Sequence, residues 1–367
     1  MSRTIALAAG GTGGHMFPAQ ALAEEMRRRG WSVLLLTDAR GLRFAEGFPA
    51  EEVVELAAAN PNVMGMTAKL GMARAMARGT MQARAAMRRH APALVMGFGG
   101  YPSAPGMAAA KLSRTPYGVH EQNAVLGRVN RKVAGGAALV AHGFARLDRL
   151  TGTRGQQVHT GNPVRDAVKA AARPYADPAS GPLRVLVFGG SQGASLFSRV
   201  LPAALARLPE VIRERLVVTQ QVRDEEASEV AAIYGRARIT AHTAPFFADL
   251  PERMAASHLV VSRAGASTVT ELATLARPSV LVPLGIAMDD HQRANAEVLA
   301  DAGAARVILE RDLTEAAAAD ALERLLADPE RLAAMARAAE GCVPSDAAAT
   351  LADLCEGLLG ARSADEA

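Results

Sequence analysis

Two glycine-rich loops have the composition of phosphate-binding loops. Residues 10–15 read Gly-Gly-Thr-Gly-Gly-His after a short apolar run, and residues 189–193 read Gly-Gly-Ser-Gln-Gly after another. Glycines there let backbone N–H groups and the N-terminus of the next helix face an anion, which would rest near Ser191 and Gly193 in the second loop. The dinucleotide fingerprint fits poorly, because its third glycine would fall on Met16, and no Gly-Lys-Ser/Thr of a triphosphate loop occurs. NAD, FAD and Walker-type sites are therefore disfavoured.

His15 is the ionisable side chain at the end of the first loop, where the second loop has Ala194. The positive end of a helix favours the neutral form of an imidazole, which can accept a proton. His15 is therefore a candidate general base. The alternative is a histidine that caps the helix or fills the core. Glu121 is a second candidate for the base.

Three further polar segments end predicted strands. Residues 97–105 contain three glycines within four positions and could hold a second phosphate. Residues 120–123, His-Glu-Gln-Asn, suit hydrogen bonds to a ligand, with a solvated loop as the alternative. In the second half, Ser267 and Thr268 are candidate N-caps, and Glu271 could complete a capping box or accept from ribose hydroxyls.

No metal site and no disulfide framework are expected. Asp289, Asp290 and His291 could bind a cation, but two adjacent aspartates cannot both face one ion on regular backbone. The amides that follow them suit sugar hydroxyls better. Cys342 and Cys355 alone make a poor metal site.

The basic residues are concentrated in one region. Residues 56–120 contain eight Lys or Arg and no Asp or Glu, together with many of the methionines. A helix predicted from about 69 to 89 combines methionines with bases, which is typical of a helix at a membrane surface. The alternative is an ordinary amphipathic helix with its methionines in the core. Nucleic acid is disfavoured because aromatic residues are scarce. The predicted membrane patch is Lys69, Met72, Arg74, Met76, Arg78 and Arg84.

The length and hydrophobic pattern predict two α/β domains. The chain has 367 residues and is 50% apolar, enough for two cores. Apolar runs alternate with helical stretches, which indicates doubly wound parallel sheets. No run approaches the ~18–20 apolar residues of a membrane span, and no signal-peptide core is present, so we expect a cytoplasmic protein. The predicted domains are residues 1–162, joined by a C-terminal helix at about 343–367, and residues 163–342. The predicted strands are residues 4–8, 33–37, 94–97, 117–120, 139–141, 184–188, 216–219, 259–262 and 280–282.

These motifs resemble the MurG family of bacterial UDP-N-acetylglucosamine transferases. The segments that carry the resemblance are residues 10–15, 97–103, 120–123, 161–165, 189–193 and 263–271, in the order of the family. The resemblance implies a GT-B fold of two Rossmann-like domains with a deep cleft. It implies inverting transfer of GlcNAc from UDP-GlcNAc to the muramyl 4-hydroxyl of lipid I, giving lipid II, without cofactor or metal.

The resemblance also implies partners and site residues. The expected partners are UDP-GlcNAc, lipid I, an anionic membrane at its cytoplasmic face, and the cell-wall and division machinery. Residues similar to the donor site are Thr12, Gly13, Gly14, Asn123, Arg165, Ser191, Gly193, Phe247, Ala266, Ser267, Thr268, Glu271 and Gln292. The glycine loops further suggest an acceptor-diphosphate site at Gly13, Gly14, Gly99, Gly100 and Tyr101.

Two other functions remain open from the sequence. One is a different GT-B enzyme, such as a UDP-sugar 2-epimerase or a soluble glycosyltransferase acting on a small molecule. The other is a membrane-associated nucleotide-sugar sensor without turnover.

Overall fold

The computed structural model describes residues 3–59, 65–150, 152–285 and 290–365, without the side chains of residues 190–194 and 361–365. The chain forms two compact units. Unit 1 comprises Met1–Asp166 and Pro344–Ala367, and unit 2 comprises Ala167–Val343. Each unit contains one parallel sheet with helices packed on it.

The strands of unit 1 are β1 Thr4–Ala8, β2 Ser32–Thr37, β3 Glu52–Glu55, β4 Leu94–Gly97, β5 Tyr117–Glu121, β6 Leu139–His142 and β7 Gln156–His159. Its helices are α1 Gly13–Arg28, α2 Met66–His90, α3 Gly100–Ser113, α4 Arg128–Ala134 and, at the C-terminus, α14 Ala347–Asp365. The helix α5 Asp166–Ala171 begins at the last residue of the first segment of unit 1.

The strands of unit 2 are β8 Leu183–Phe188, β9 Leu216–Gln221, β10 Thr240–Ala244, β11 Leu259–Ser262, β12 Ser279–Leu281 and β13 Ala305–Val307. Its helices are α6 Gly190–Ala206, α7 Glu210–Arg213, α8 Ala227–Arg236, α9 Leu250–Ala256, α10 Ala266–Thr274, α11 His291–Asp301, α12 Glu315–Leu326 and α13 Pro329–Ala339.

The two sheets share one topology. The strand order is β3-β2-β1-β4-β5-β6-β7 in unit 1 and β10-β9-β8-β11-β12-β13 in unit 2. In both sheets the order reverses beside the first strand, between β1 and β4 and between β8 and β11. Open parallel sheets bind ligands at the carboxyl ends of the strands near such a reversal. The glycine-rich loops after β1 and β8 lie at these points.

The interior strands are apolar along their whole length because helices cover both faces of each sheet. In unit 1, Ile5 and Leu7 pack on the face covered by α1 and α14, whereas Ala6 and Ala8 pack towards α2 and α3. The helix α14 completes the first face with Leu351, which is fully buried. The C-terminal segment therefore belongs to the core of unit 1.

Nine predicted strands are present, with ends that differ by at most a few residues. The four strands that the sequence did not reveal, β3, β7, β10 and β13, are the outermost strands of the two sheets. They carry the polar residues of half-buried edges, as in Gln156–His159, so no continuous apolar run marks them. Within the described residues, every helix is too short or too polar to span a bilayer.

Candidate active site

The loop after β1 is held by a carboxylate from the end of β2. Asp38 Oδ1 accepts hydrogen bonds from the backbone N–H groups of Gly11 and Gly41, each at 2.9 Å. A Cβ at Gly10 would lie 2.7 Å from the same oxygen, so this loop requires glycine. The Arg40 guanidinium lies over the Tyr101 ring at 5.0 Å and beside Gly11. Its Nε lies 3.6 Å from Asp38 Oδ2, so the two side chains form an ion pair that sequence reasoning missed.

His15 lies in the first turn of α1 and is partly exposed, so it is not a core residue. Thr12 is the N-cap of this helix, and no side-chain cap hydrogen bond is present there. His15 Nδ1 lies 3.0 Å from Gln122 Oε1. A Cβ built on Gly100 would lie 2.9 Å from His15 Cδ2 and 3.0 Å from Nε2. The imidazole is thus fixed between the end of β5 and the start of α3.

Three of the four polar residues 120–123 are buried rather than solvated, and Asn123 is partly exposed. His120 is fully buried, and Gln122 is 1% exposed. The Gln122 amide nitrogen donates to the backbone oxygen of His120 at 2.9 Å and lies 3.1 Å from its Nδ1. Burial lowers the pKa of His120 to about 4, which keeps its imidazole neutral at pH 7. The Gln122 side chain therefore binds both His120 and His15, and neither His120 nor Gln122 faces solvent.

Glu121 holds the next loop and the start of α4. Its Oε1 accepts from the backbone and side-chain nitrogens of Asn123, and its Oε2 accepts from Gly127 N and Asn130 Nδ2. The carboxylate is buried, with a residue exposure of 2%. A carboxylate whose two oxygens accept four hydrogen bonds is poorly placed to take a proton from a substrate. This geometry argues against Glu121 as the base and favours a positioning role.

A second helix N-terminus borders His15. Gly99 and Gly100 precede and open α3 with φ of +80° and +68°, values that favour glycine. Tyr101 follows in the first turn and is partly exposed, and burial raises the pKa of its phenol. The N-termini of α1 and α3 thus lie on two sides of one imidazole, and their backbone N–H groups suit an anionic ligand.

Arg165 lies close to α1. Its guanidinium lies 3.7 Å from the centroid of the Phe17 ring, within unit 1. A cation stacked on an aromatic face is held in place by the ring.

In unit 2 most of the predicted donor residues lie in helices that follow strands of the sheet. The helix α10 starts at Ala266 with Gly265 as its N-cap. Ser267 and Thr268 therefore lie in the first turn, and the prediction that they are N-caps is wrong. Ser267 Oγ is buried and has no partner among the described residues, so it is available to a ligand at the N-terminus of this helix. Glu271 lies further along α10.

The loop after β12 is held by an ion pair. Arg263 is 8% exposed, and its NH1 donates to Glu310 Oε2 at 2.9 Å. The same oxygen accepts from Gly285 N at 2.7 Å, while Gln292 Oε1 accepts from Leu284 N at 3.0 Å. The Gln292 side chain therefore supports the loop through its oxygen.

Three other predictions on unit 2 have different outcomes. The ring of Phe247 lies 4.5 Å from the Arg253 guanidinium. Ser191 and Gly193 lie in the first turn of α6, where the structure describes the backbone alone, and Asp289 of the candidate metal cluster lies outside the described residues. In the part of the chain that is described, no three His, Cys, Asp or Glu side chains come together in an arrangement that could hold a metal ion.

The helix α2 divides into two halves. Its C-terminal half packs in the core of unit 1 through Ala83 and Met87, as the alternative interpretation predicts. In its N-terminal half, Met66 is 83% exposed and Leu70 is 53% exposed. The predicted patch residues Lys69, Arg74 and Arg78 are exposed, whereas Met72, Met76 and Arg84 are partly buried.

Met72 and Met76 line an apolar groove of about 690 Å³ against Tyr101 and α4. The α4 residues Arg128, Arg131 and Lys132 also line this groove. These three bases belong to the basic region of the sequence but not to the predicted membrane patch, because the groove forms only when α2, α3 and α4 pack together.

Each unit is a parallel sheet with a glycine-rich loop after its first strand, the architecture of nucleotide-binding α/β folds. Residues 5–141 match the glycosyltransferase family 28 N-terminal domain, and residues 184–353 match the glycosyltransferase family 28 C-terminal domain. The chain belongs to glycosyltransferase family 28 and is a glycosyltransferase.

Relatives with similar sequences carry one name. A protein of Caulobacter vibrioides is 50% identical over 97% of this chain and 99% of its own length. A protein of Phenylobacterium zucineum is 48% identical over 97% of this chain and 98% of its own length. Both are named UDP-N-acetylglucosamine--N-acetylmuramyl-(pentapeptide) pyrophosphoryl-undecaprenol N-acetylglucosamine transferase. The crystal structure of MurG from Acinetobacter baumannii is 30% identical, with a TM-score of 0.76 over 97% of this chain and 99% of that one. The predicted MurG-type GT-B architecture of two Rossmann-like domains is confirmed.

Proposed function

We propose that this chain transfers GlcNAc from UDP-GlcNAc to the 4-hydroxyl of the muramyl sugar of lipid I, forming lipid II in peptidoglycan synthesis. The observation that carries the proposal is the 50% identity to a transferase of that name over 97% of the chain. A match of this extent includes the loops of both units. The sensor alternative does not account for membership in a transferase family.

In the proposed reaction the acceptor oxygen attacks the anomeric carbon of GlcNAc. The bond from that carbon to the β-phosphate oxygen breaks, UDP leaves, and the configuration inverts. His15 Nε2 takes the proton of the hydroxyl, because Nδ1 is engaged with Gln122. The N-termini of α6 and α10, together with Arg165, stabilise the negative charge that develops on the departing diphosphate.

The donor contacts are assigned to the loops of unit 2. Ser191, Gly193 and residues 266–268 would bind the diphosphate, and Glu271 would accept from the ribose hydroxyls. We assign Phe247 to the uracil and Gln292 to the GlcNAc hydroxyls, since its amide nitrogen is left to donate when its oxygen accepts from Leu284.

The acceptor contacts are assigned to unit 1. The first turns of α1 and α3, with Gly13, Gly14, Gly99, Gly100 and Tyr101, would bind the diphosphate of lipid I. The backbone N–H groups at these two helix N-termini support an anionic ligand there. Thr12 and Asn123 would contact the sugars.

The transfer is tested with labelled UDP-GlcNAc and a short-chain lipid I analogue. We expect labelled lipid II from the wild-type protein and a fall in kcat of about 10²–10⁴-fold for His15→Ala, the usual contribution of a general base. The Kd for UDP-GlcNAc should stay unchanged. No product from the wild-type protein would refute the transfer, and an undiminished kcat for His15→Ala would refute the base.

We further propose that the N-terminal half of α2 binds the anionic cytoplasmic face of the inner membrane. The exposed Met66 and Leu70 alternate there with exposed bases, and residues 56–120 carry no acidic side chain. Apolar side chains among bases suit the boundary between headgroups and acyl chains. The division machinery stays an expectation from the resemblance.

Vesicle co-sedimentation tests the membrane proposal. The double variant Arg74→Gln/Arg78→Gln removes two charges worth about 1 kcal/mol each near an anionic surface, so binding to phosphatidylglycerol vesicles should weaken about 30-fold. The control Arg199→Gln/Arg236→Gln removes two exposed charges from unit 2 and should bind like the wild type. Equal binding by both double variants would contradict the proposal.

A further inference from the structure

A continuous chain of hydrogen bonds runs from the core of unit 1 to His15. His120 Nε2 lies 3.0 Å from the backbone oxygen of Gly161. Gln122 Nε2 lies 3.1 Å from His120 Nδ1, and Gln122 Oε1 lies 3.0 Å from His15 Nδ1. Gln122 Nε2 also donates to the backbone oxygen of His120 at 2.9 Å. These hydrogen bonds thus link the imidazoles of His120 and His15 through the amide of Gln122.

Backbone carbonyl oxygens set the direction of every bond in this chain, because a carbonyl can only accept. The oxygen of Gly161 requires the proton of His120 on Nε2. The oxygen of His120 requires the amide nitrogen of Gln122 on its side, so the amide cannot be flipped. Gln122 Oε1 must then face His15, and the only donor that His15 can offer to it is Nδ1–H.

The protonation of His120 agrees with this direction. Its imidazole is fully buried, and burial lowers its pKa to about 4, with the nearby His142 contributing in the same direction. A neutral imidazole that donates from Nε2 has an accepting Nδ1, which is what the second Gln122 N–H requires. Each of these hydrogen bonds therefore pairs one donor with one acceptor.

We propose that Gln122, oriented by His120, is a positioning residue that fixes His15 in the Nδ1–H tautomer. The lone pair of His15 is then on Nε2, the nitrogen beside Gly100, where a Cβ would lie only 3.0 Å away. A free imidazole exchanges between two tautomers, and only one of them can accept a proton at Nε2. The role of that lone pair in glycosyl transfer rests on the proposed function, but the tautomer itself does not.

The tautomer can be measured directly. Protein labelled with ¹⁵N-histidine shows, in long-range ¹H–¹⁵N spectra, which ring nitrogen carries the proton, and a His15→Ala sample assigns the signals. We expect His15 to be the Nδ1–H tautomer in the wild-type protein at pH 8. An Nε2–H tautomer there would overturn the proposal without any substrate or variant.

Gln122→Met keeps the length of the side chain and removes the acceptor. We expect mixed tautomers at His15, a fall in kcat of about 10–100-fold, and an unchanged KM for UDP-GlcNAc, since part of a general-base contribution is lost. Tyr117→Phe is the matched control, because it removes one part-buried hydrogen bond, from the Tyr117 hydroxyl to Val133 O. Tyr117 lies in the same strand, and its loss leaves the hydrogen bonds between His120, Gln122 and His15 intact. It should keep both the tautomer and kcat of the wild type.

The outcomes separate the two proposals. A Gln122→Met protein that keeps the Nδ1–H tautomer, or that loses no more activity than Tyr117→Phe, overturns the positioning role. A wild-type protein with the Nδ1–H tautomer but no transfer to lipid I overturns the proposed function and leaves the positioning of His15 intact.

Discussion

Substituting Gly100 by alanine should impair catalysis far more than it impairs folding. Gly100 has φ +68°, where an alanine costs roughly 1–2 kcal/mol of stability. Its new Cβ would also lie 2.9 Å from His15 Cδ2 and 3.0 Å from Nε2, whereas carbon atoms pack at about 3.5–4.0 Å. The ring must therefore move by roughly 0.5–1 Å.

A displacement of that size is large for a catalytic group. A misplacement of about 1 Å costs roughly 10²-fold in rate, so we expect kcat for transfer to the lipid I analogue to fall about 100-fold. Donor binding in unit 2 should be unchanged, which isothermal titration with UDP-GlcNAc would check.

Gly30→Ala is the matched control. Gly30 follows α1 with φ +80°, and a Cβ there would meet nothing within 4 Å. It carries the same backbone cost of roughly 1–2 kcal/mol and leaves His15 untouched. Both variants should lose similar stability in urea unfolding, and only Gly100→Ala should lose activity. Equal kcat values for the two variants would refute the position assigned to His15.

Two further predictions concern buried charge. The pKa of His120 falls from 6.5 to about 4 on burial, so the unfolded chain binds a proton that the folded chain excludes between these pH values. The free energy of unfolding should therefore drop by about 3 kcal/mol as the pH is lowered from 6.5 to 4. His120→Gln should reduce this dependence of the unfolding free energy on pH. The control His242→Asn, which replaces an exposed histidine, should leave it unchanged. In unit 2, Glu310→Ala leaves the buried Arg263 without its carboxylate, so we expect about 2 kcal/mol less stability and weaker UDP binding by calorimetry. Glu310→Gln, which keeps an acceptor, should lose less; equal losses in the two variants would contradict the role of the ion pair.

The fold could be predicted from the sequence where burial is complete. Strands such as β1 and β11 are continuously apolar because both faces are covered, and a run of that kind is visible in one sequence. An edge strand such as β10 has an exposed side, and its Thr-Ala-His-Thr-Ala pattern is indistinguishable from a loop. Only its pairing with β9 identifies β10 as a strand, and that pairing is not visible in the residues of β10 themselves.

The sequence predicted which loops form the site, but not which side chains in those loops contact each other. Glycines and polar residues after strands indicate loops at the carboxyl edge, and β1, β4 and β5 are neighbours, so these loops meet. Whether a polar side chain there faces a ligand or another residue depends on how deeply it is buried. Gln122 and Glu121 looked alike in the sequence, but one orients His15 and the other holds α4. Arg40 was missed because only packing places it beside Gly11.

The assignment of the donor to unit 2 and of the acceptor to unit 1 is tested most directly by a crystal structure with bound UDP. We predict uracil beside Phe247, the ribose hydroxyls at Glu271, and the diphosphate at the N-terminus of α10, all in unit 2. Uridine bound at the loops of residues 10–15 or 97–103 in unit 1 would contradict the assignment of the acceptor and of His15.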